Sequence, residues 1–361
     1  MTFLAPLAGL FIILWTLLDA FEQVILPRSD SHPFRISSLI LRFTWPPWRA
    51  VARRIKWAGR RSQFLSYYGP LSVLVLLGAW GGALITGFAL GCWTRGEGSF
   101  VARFYISGSN FFTLGLSRPP QSGFAMVVTV LEAGIGLAFL AAIIGYLPVY
   151  YSAYSQREAF IPRYQSLAGN PPTGGEVIRC LLSVGDKSLT LEFLLAIQSW
   201  AANVLQSHRA YKLVAMYRSQ KGNSSWLAVL VSILDANAVA LTLLPDGPLP
   251  GAPAAMDVSR RVATDLVEAF GLKPEPLRED RLPREAFLTL YRALASSGRP
   301  LRDDAEFEAM LGKVRATYEP CVCALADFLL VKMPPWIIDP ALEGKSPGER
   351  IAEGTLLRSA A

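Results

Sequence analysis

A threonine, an apolar residue, a glycine and a second apolar residue follow one another at Thr113-Leu114-Gly115-Leu116, and Ser117 and Arg118 come next. The chemistry open to such a run lies in its backbone. Consecutive carbonyls and one threonine hydroxyl can replace the water around a small monovalent cation if they all face one axis. Facing one axis requires left-handed backbone at some positions, which glycine adopts freely and Gly115 would supply. Thr113 would offer its hydroxyl and the innermost carbonyl, and Leu114, Gly115 and Leu116 the next ones, with Ser117 at the outermost position. A left-handed serine at 117 would cost about 1–2 kcal/mol, so the outermost site is expected to be distorted or absent. Arg118 would put a cation at the mouth. It repels cations if it faces the axis, and has a modest effect if it tilts to headgroups, because exposed charges are screened beyond about 10 Å.

One carboxylate stands apart. Glu132 is the only charge between Pro119 and Gln156. An ionisable group inside an apolar run is a functional candidate, since it is costly unless paired or hydrated. Three roles are open to it: a brace held by Arg118, Ser107 or Ser109, a carboxylate facing a water-filled cavity, or a protonated and merely tolerated side chain. Gly134, Gly136 and Pro148 follow on the same run. They are candidates for a hinge, with close packing as the alternative for the glycines.

Enzymatic chemistry finds no purchase. His32 and His208 are the only imidazoles, and neither stands in a nucleophile or metal motif. His208, in QSHRAYK, is expected on a helix surface or in a polar contact. Cys92, Cys180, Cys321 and Cys323 give no disulfide framework and no zinc spacing. No P-loop and no nucleotide-binding glycine fingerprint after a strand occurs. No resident cofactor or metal is expected, only a permeant monovalent cation, and no enzymatic activity.

The elements that must position these residues are apolar runs. Hydrophobic residues make up 52% of the 361-residue chain and charged ones 17%. No charge occurs from Met1 to Leu18 or from Ser62 to Thr94. Each uncharged run can supply one helical span of the ~20 residues that a bilayer core requires. Spans are expected over 3–25, 68–91 and 123–150, with a short helix over 100–112 that is too short to cross. Gly78/Gly82 and Gly87/Gly91 have GxxxG spacing, and Gly134, Ala138, Ala141 and Gly145 form one stripe, as close helix packing in lipid uses.

The net charge of +7 belongs wholly to the first half of the chain. Residues 1–156 hold 12 Lys and Arg against 5 Asp and Glu, whereas residues 157–361 hold 23 of each. Nine of the cations lie between Arg28 and Arg61, opposed by Asp30 and interleaved with Trp45, Trp48 and Trp57. That pattern suits an interfacial helix on anionic headgroups and a cytosolic location, rather than nucleic acid. It places the N-terminus outside and everything after Tyr151 in the cytosol of a multi-pass protein of the cell (inner) membrane.

FYISGSNFFTLGLSRP followed by LEAGIGLAFLAAIIGYLPVYYSAYSQRE resembles the prokaryotic potassium-channel-like family of two spans around one pore loop. The resemblance covers about residues 68–155. It implies an all-α membrane protein with an outer helix (68–91), a pore helix (100–112), a selectivity filter (113–117) and an inner helix (123–150). To these the chain would add an N-terminal span (1–26), a basic cytosolic stretch (27–66) and an all-helical cytosolic domain (156–361). It also implies a homotetramer conducting potassium, because a carbonyl ring needs four copies of one pore loop. Three positions depart from the family: an aromatic, a second glycine and an aspartate are replaced by Leu116, Ser117 and Arg118, which predicts weakened potassium selectivity. The other open reading is a non-conducting scaffold or sensor that keeps the pore fold as an anchor.

After the break at AGNPPTGG, amphipathic stretches run over 176–219, 225–243, 254–270, 283–297 and 303–333. The apolar stretch 226–244 is long enough for a fourth span, but Asp235 at its middle favours a buried helix of a soluble domain. The partner of this half, a ligand or a protein, is not specified by any motif.

Overall fold

The computed structural model describes residues 4–24, 35–91, 99–116, 122–219, 225–274 and 280–338. His32, Cys92, Ser117 and Arg118 lie outside them. Among the described residues every regular element is helical, with no strand. Four helical stretches are apolar and long enough to cross a membrane: Leu4–Val24, Ala58–Gly91, Gly123–Ala168 and Lys187–Ala210. The chain is therefore that of a membrane protein. It divides into two units, residues 1–57 with 64–152, and residues 58–63 with 153–361.

In the first unit, α1 (Leu4–Val24) packs along α4 (Tyr68–Gly91). The approach is as close as backbones allow. A Cβ on Gly9 would stand 2.4 Å from the Gly87 carbonyl, and one on Gly87 would stand 2.7 Å from Ile13. Gly9 and Gly87 thus serve this contact, whereas a Cβ on Gly78, Gly82 or Gly91 would meet nothing within 4 Å. One polar tie crosses the same pair: Trp80 Nε1 donates to Asp19 at 2.7 Å.

The basic stretch forms α2 (Ile36–Arg54), then α3 (Ala58–Ser66). The end of α1 holds the start of α2. Asp19 accepts from the Ile36 N–H at 3.3 Å, Gln23 from Ser37 Oγ at 3.1 Å, and Glu22 pairs with Arg35 at 3.0 Å. An acidic group at the first turn of a helix also meets the positive end of its dipole. Further along, Trp45 and Trp48 lie against Tyr68, and Thr44 Oγ1 is 2.8 Å from its hydroxyl.

The short helix α5 (Phe100–Phe111) starts where Ser99 accepts from the Ala102 N–H at 3.4 Å. α6 (Gly123–Ala168) is the longest element, at 46 residues. The expected inner helix, 123–150, is therefore too short. Pro148 does not end it, because one lost hydrogen bond in a long helix is flanked by intact turns. Beyond Tyr151 the helix keeps an inward face, with Arg157, Ile161 and Tyr164 buried in the second unit.

The second unit is all-helical. The stretch expected over 176–219 is split into α7 (Gly174–Val184) and α8 (Lys187–Ala210). Gly185, at φ +74°, ends the first, and Asp186 caps the second by accepting from Ser188 N at 2.7 Å. α9 (Trp226–Thr242) is 17 residues long and buried along nearly its whole length against α7, α10 (Ala252–Ala269), α12 (Asp304–Arg315) and α13 (Glu319–Leu329). It is the central helix of this unit and, at 17 residues, below the usual ~20 of a span. α11 (Arg284–Ala295) packs on α7 and α12. The long apolar character of α8 was not foreseen. One side of it packs on α10, and Leu191 and Leu195 remain exposed.

Asp235, fully buried on α9, is neutralised in place. Arg281 meets it at 2.7 Å, and Tyr318 Oη donates to it at 2.7 Å. Arg281 also reaches Glu319 at 3.1 Å, which Arg315 meets at 3.1 Å. Burial works against the Arg281 charge, but Asp235 and Glu319 hold its pKa above the ordinary value, while burial pushes Glu319 and Tyr318 up. His208, expected on a surface or in a polar contact, is fully buried with Nε2 3.3 Å from Arg157 Nη1. Asp235→Ala leaves the Arg281 guanidinium buried without its closest counter-charge. It is expected to cost about 3–5 kcal/mol, read as a fall in the thermal or urea midpoint of the purified protein. A midpoint unchanged within error would refute the role given to this pair.

Candidate functional site: a carbonyl turn behind a short helix

The site is built where α5 ends. Its last turn lies between α4 and α6. Phe111 packs in a cluster with Leu84 and Ile85 of α4, joined by Ile135 and Phe139 of α6. Ile85 is six residues from the end of α4 and Gly136 is thirteen from the start of α6, so the contacts lie about 9 and 20 Å along those helices. The chain that follows Phe111 therefore turns back between helices, not at their ends.

The contact with α6 depends on a missing side chain. A Cβ on Gly136 would sit 1.9 Å from the Phe111 carbonyl oxygen. Gly134 has open space around it, and α6 remains helical through Gly134, Gly136 and Pro148.

Glu132 lies one turn before Gly136 and is 3% exposed. Its carboxylate accepts from Asn110 Nδ2 at 3.1 Å and from Ser107 Oγ. Ser107 also lies 2.9 Å from the Ile85 carbonyl, so its single proton is shared between α4 and α6. The carboxylate thus holds α5 from behind. Of the partners proposed from sequence, Ser107 is one. Ser109 does something else, and Arg118 is not among the described residues. Asn110 was missed, although its place three residues after Ser107 puts both on one helical face.

The turn itself has an unusual backbone. Thr113 has φ +55° and Gly115 has φ +66°, and Leu114 between them is not left-handed. Alternation of handedness sends successive N–H groups to one side and successive carbonyls to the other. The hydrogen bonds agree. The N–H of Phe112 donates to Gly108 O at 3.0 Å, that of Thr113 to Asn110 O at 3.0 Å, and that of Leu114 to Ser109 O at 2.8 Å. The Leu116 N–H donates to Ser109 Oγ at 3.0 Å. All four donors are directed at the end of α5. Among the described residues, no hydrogen bond reaches the carbonyls of Thr113, Leu114, Gly115 or Leu116. These four residues are exposed on the single chain.

No family model, no curated protein and no solved structure matches this chain. The reading of the turn rests on its own geometry. Left-handed backbone at a β-branched threonine is strained by about 1–3 kcal/mol and persists only where the surroundings impose it. Sequence reasoning assigned that requirement to Gly115 and Ser117, and it missed Thr113. Among the described residues, the arrangement offers four unbonded carbonyls against one unbonded N–H, that of Gly115, which favours a cation over an anion. Thr113 brings its hydroxyl to the same segment. Among the described residues, no group of three or more His, Cys, Asp or Glu side chains is arranged for a metal ion. Cys180, Cys321 and Cys323 form no disulfide.

Gly136→Ala is expected to disrupt the seat of α5, because backbone must move by more than an ångström to admit the methyl group. Gly134→Ala is expected to be tolerated. Thermal unfolding in detergent compares the two, with a fall of several degrees for Gly136→Ala alone. Equal midpoints would mean that Gly136 does not set this contact.

Proposed function

We propose that four copies of this chain form a cation channel in the cell membrane, with the carbonyls of Thr113 to Leu116 lining a shared axis and potassium as the permeant ion. The carrying observation is the division of the 112–116 backbone. Four of its five N–H donors, all but that of Gly115, are tied to α5, and the carbonyls of Thr113 to Leu116 are left over. Such acceptors cannot remain facing lipid, since each unsatisfied peptide group in hydrocarbon costs several kcal/mol. They must be enclosed by protein and line a water or ion path. One loop supplies one wall of such a path, and four loops around an axis complete a ring of oxygens that replaces the hydration shell of potassium.

In this reading α4 is the outer helix, α5 the pore helix and α6 the inner helix, with Glu132 as a brace. α1 is an added span with its N-terminus outside. The basic stretch and the C-terminal unit are cytosolic, and that unit regulates opening or assembly through a ligand or partner of its own. Leu116, Ser117 and Arg118 depart from the family's outer filter, so potassium selectivity is weakened.

Rubidium or potassium uptake into proteoliposomes tests conduction. Uptake above empty liposomes is expected, reduced at least tenfold by Thr113→Ala and by Gly115→Ala with the tetramer mass retained. A folded tetramer that passes no ion would overturn the proposal in favour of a scaffold, and an assembly of fewer than four chains would remove its geometric basis. Selectivity is tested separately. Ser117→Gly is expected to raise the potassium-to-sodium permeability ratio several-fold, and an unchanged ratio counts against the account of the outer positions.

A further inference from the structure

An apolar groove of ≈ 450 Å³ lies between α1, α4 and α6 in the first unit. Leu14, Leu18 and Phe21 line it from α1, Trp80 from α4, and Ala138 and Ala142 from α6. No lining residue is charged. The indole N–H of Trp80 is already donated to Asp19. Water entering the groove would find almost no partner, so hydrocarbon is the fitting occupant.

Its length and its polar end narrow the choice. The lining runs from Leu14 to Val24 along α1, about 15 Å of helix and about half of a ~30 Å hydrocarbon core. That is the reach of one acyl chain in one leaflet. Phe21 and Val24, at the far end, lie beside Asp19, Glu22 and Gln23, the residues that hold the start of α2. α2 carries Arg42, Arg49, Arg53 and Arg54 and no acid. Arg42 is six residues past Ile36, about 9 Å along the helix. Exposed Phe43 and Val51 lie on its outward side, near exposed Arg42, Arg53 and Arg54, the pattern of a helix in the headgroup layer.

We propose that the groove holds an acyl chain of one anionic phospholipid per chain, with its headgroup on the arginines of α2. The site requires only that unit one sits in a membrane, and it does not depend on conduction. Small side chains at Ala138 and Ala142 keep the groove open, so a large one there should close it.

The test is native mass spectrometry of the full chain taken from equimolar phosphatidylglycerol and phosphatidylcholine nanodiscs. One phosphatidylglycerol per chain is expected to survive, with phosphatidylcholine retained at least fivefold less. Ala142→Trp should cut lipid retention at least tenfold, whereas Leu140→Trp, on the exposed side of α6, should not. Arg42→Gln, Arg53→Gln and Arg54→Gln together should bring the preference close to one with the oligomer mass unchanged. Equal retention of both lipids by the wild type, or retention unaffected by Ala142→Trp, overturns the site. So does loss of the oligomer in Ala142→Trp with lipid still bound, which would make the groove a seat for a second copy. If Ala142→Trp fails to fold, the arginine variant decides, since it leaves the groove intact.

Discussion

A peptide group has two ends, and the chain after α5 satisfies chiefly one of them. The N–H groups of Phe112, Thr113, Leu114 and Leu116 all return to the last turn of the short helix. A helix end normally has spare carbonyls that need donors. Here the following residues supply those donors, so the helix terminus is completed at the expense of the turn. The deficit is moved forward to the carbonyls of Thr113 to Leu116. Between apolar helices that deficit cannot be left open, and the rest of the first unit can be understood as what holds it in place.

The supports are ordered by depth. Gly136 admits the Phe111 carbonyl to the surface of α6, which fixes where the helix ends. Glu132, one turn earlier, grips Ser107 and Asn110 and so fixes how the helix is rotated. Ser107 ties the same face to α4 through the Ile85 carbonyl. Three polar side chains and one missing side chain thus determine position and rotation together. Neutral hydrogen bonds contribute about 1 kcal/mol each, and those to a charged group about 1.5–3 kcal/mol. That is enough in total to hold a threonine in left-handed backbone, which costs about 1–3 kcal/mol.

The sequence made the scaffold legible where one physical rule dominated. Uncharged runs of span length gave α1 and α4 nearly to the residue, and a short apolar pattern between two spans gave α5. Glu132 could not stand alone in an apolar helix, so a brace by Arg118, Ser107 or Ser109 was one of three roles left open. Which neighbour would serve was not legible, because Ser107, Ser109 and Asn110 differ only by rotation about the helix, and rotation is set by packing. The end of α6 was placed at 150, where the apolar run of span length ends, whereas the helix continues through polar residues to Ala168. Left-handed Thr113 was not legible either. Propensity argues against it, and only the assembled hydrogen bonds impose it. For α9, Asp235 argued for burial in a soluble unit, but Arg281, 46 residues away, had no local signature.

The two ends of the turn are not held alike. At its N-terminal end, Thr113 and Leu114 donate to main-chain carbonyls of α5, which are themselves fixed by the helix. At its C-terminal end, Leu116 is tied through one serine hydroxyl, and its side chain is exposed. That tie rests on a rotatable group and not on a packed side chain. A single neutral hydrogen bond of about 1 kcal/mol permits excursions that a packed ring would prevent. A ring of carbonyls discriminates between ions by the size of its cage or by the number and field of its dipoles, and both lose definition when the outer oxygens move. Weakened selectivity in the proposed channel therefore follows from how Leu116 is anchored, before the charge of Arg118 is considered at all.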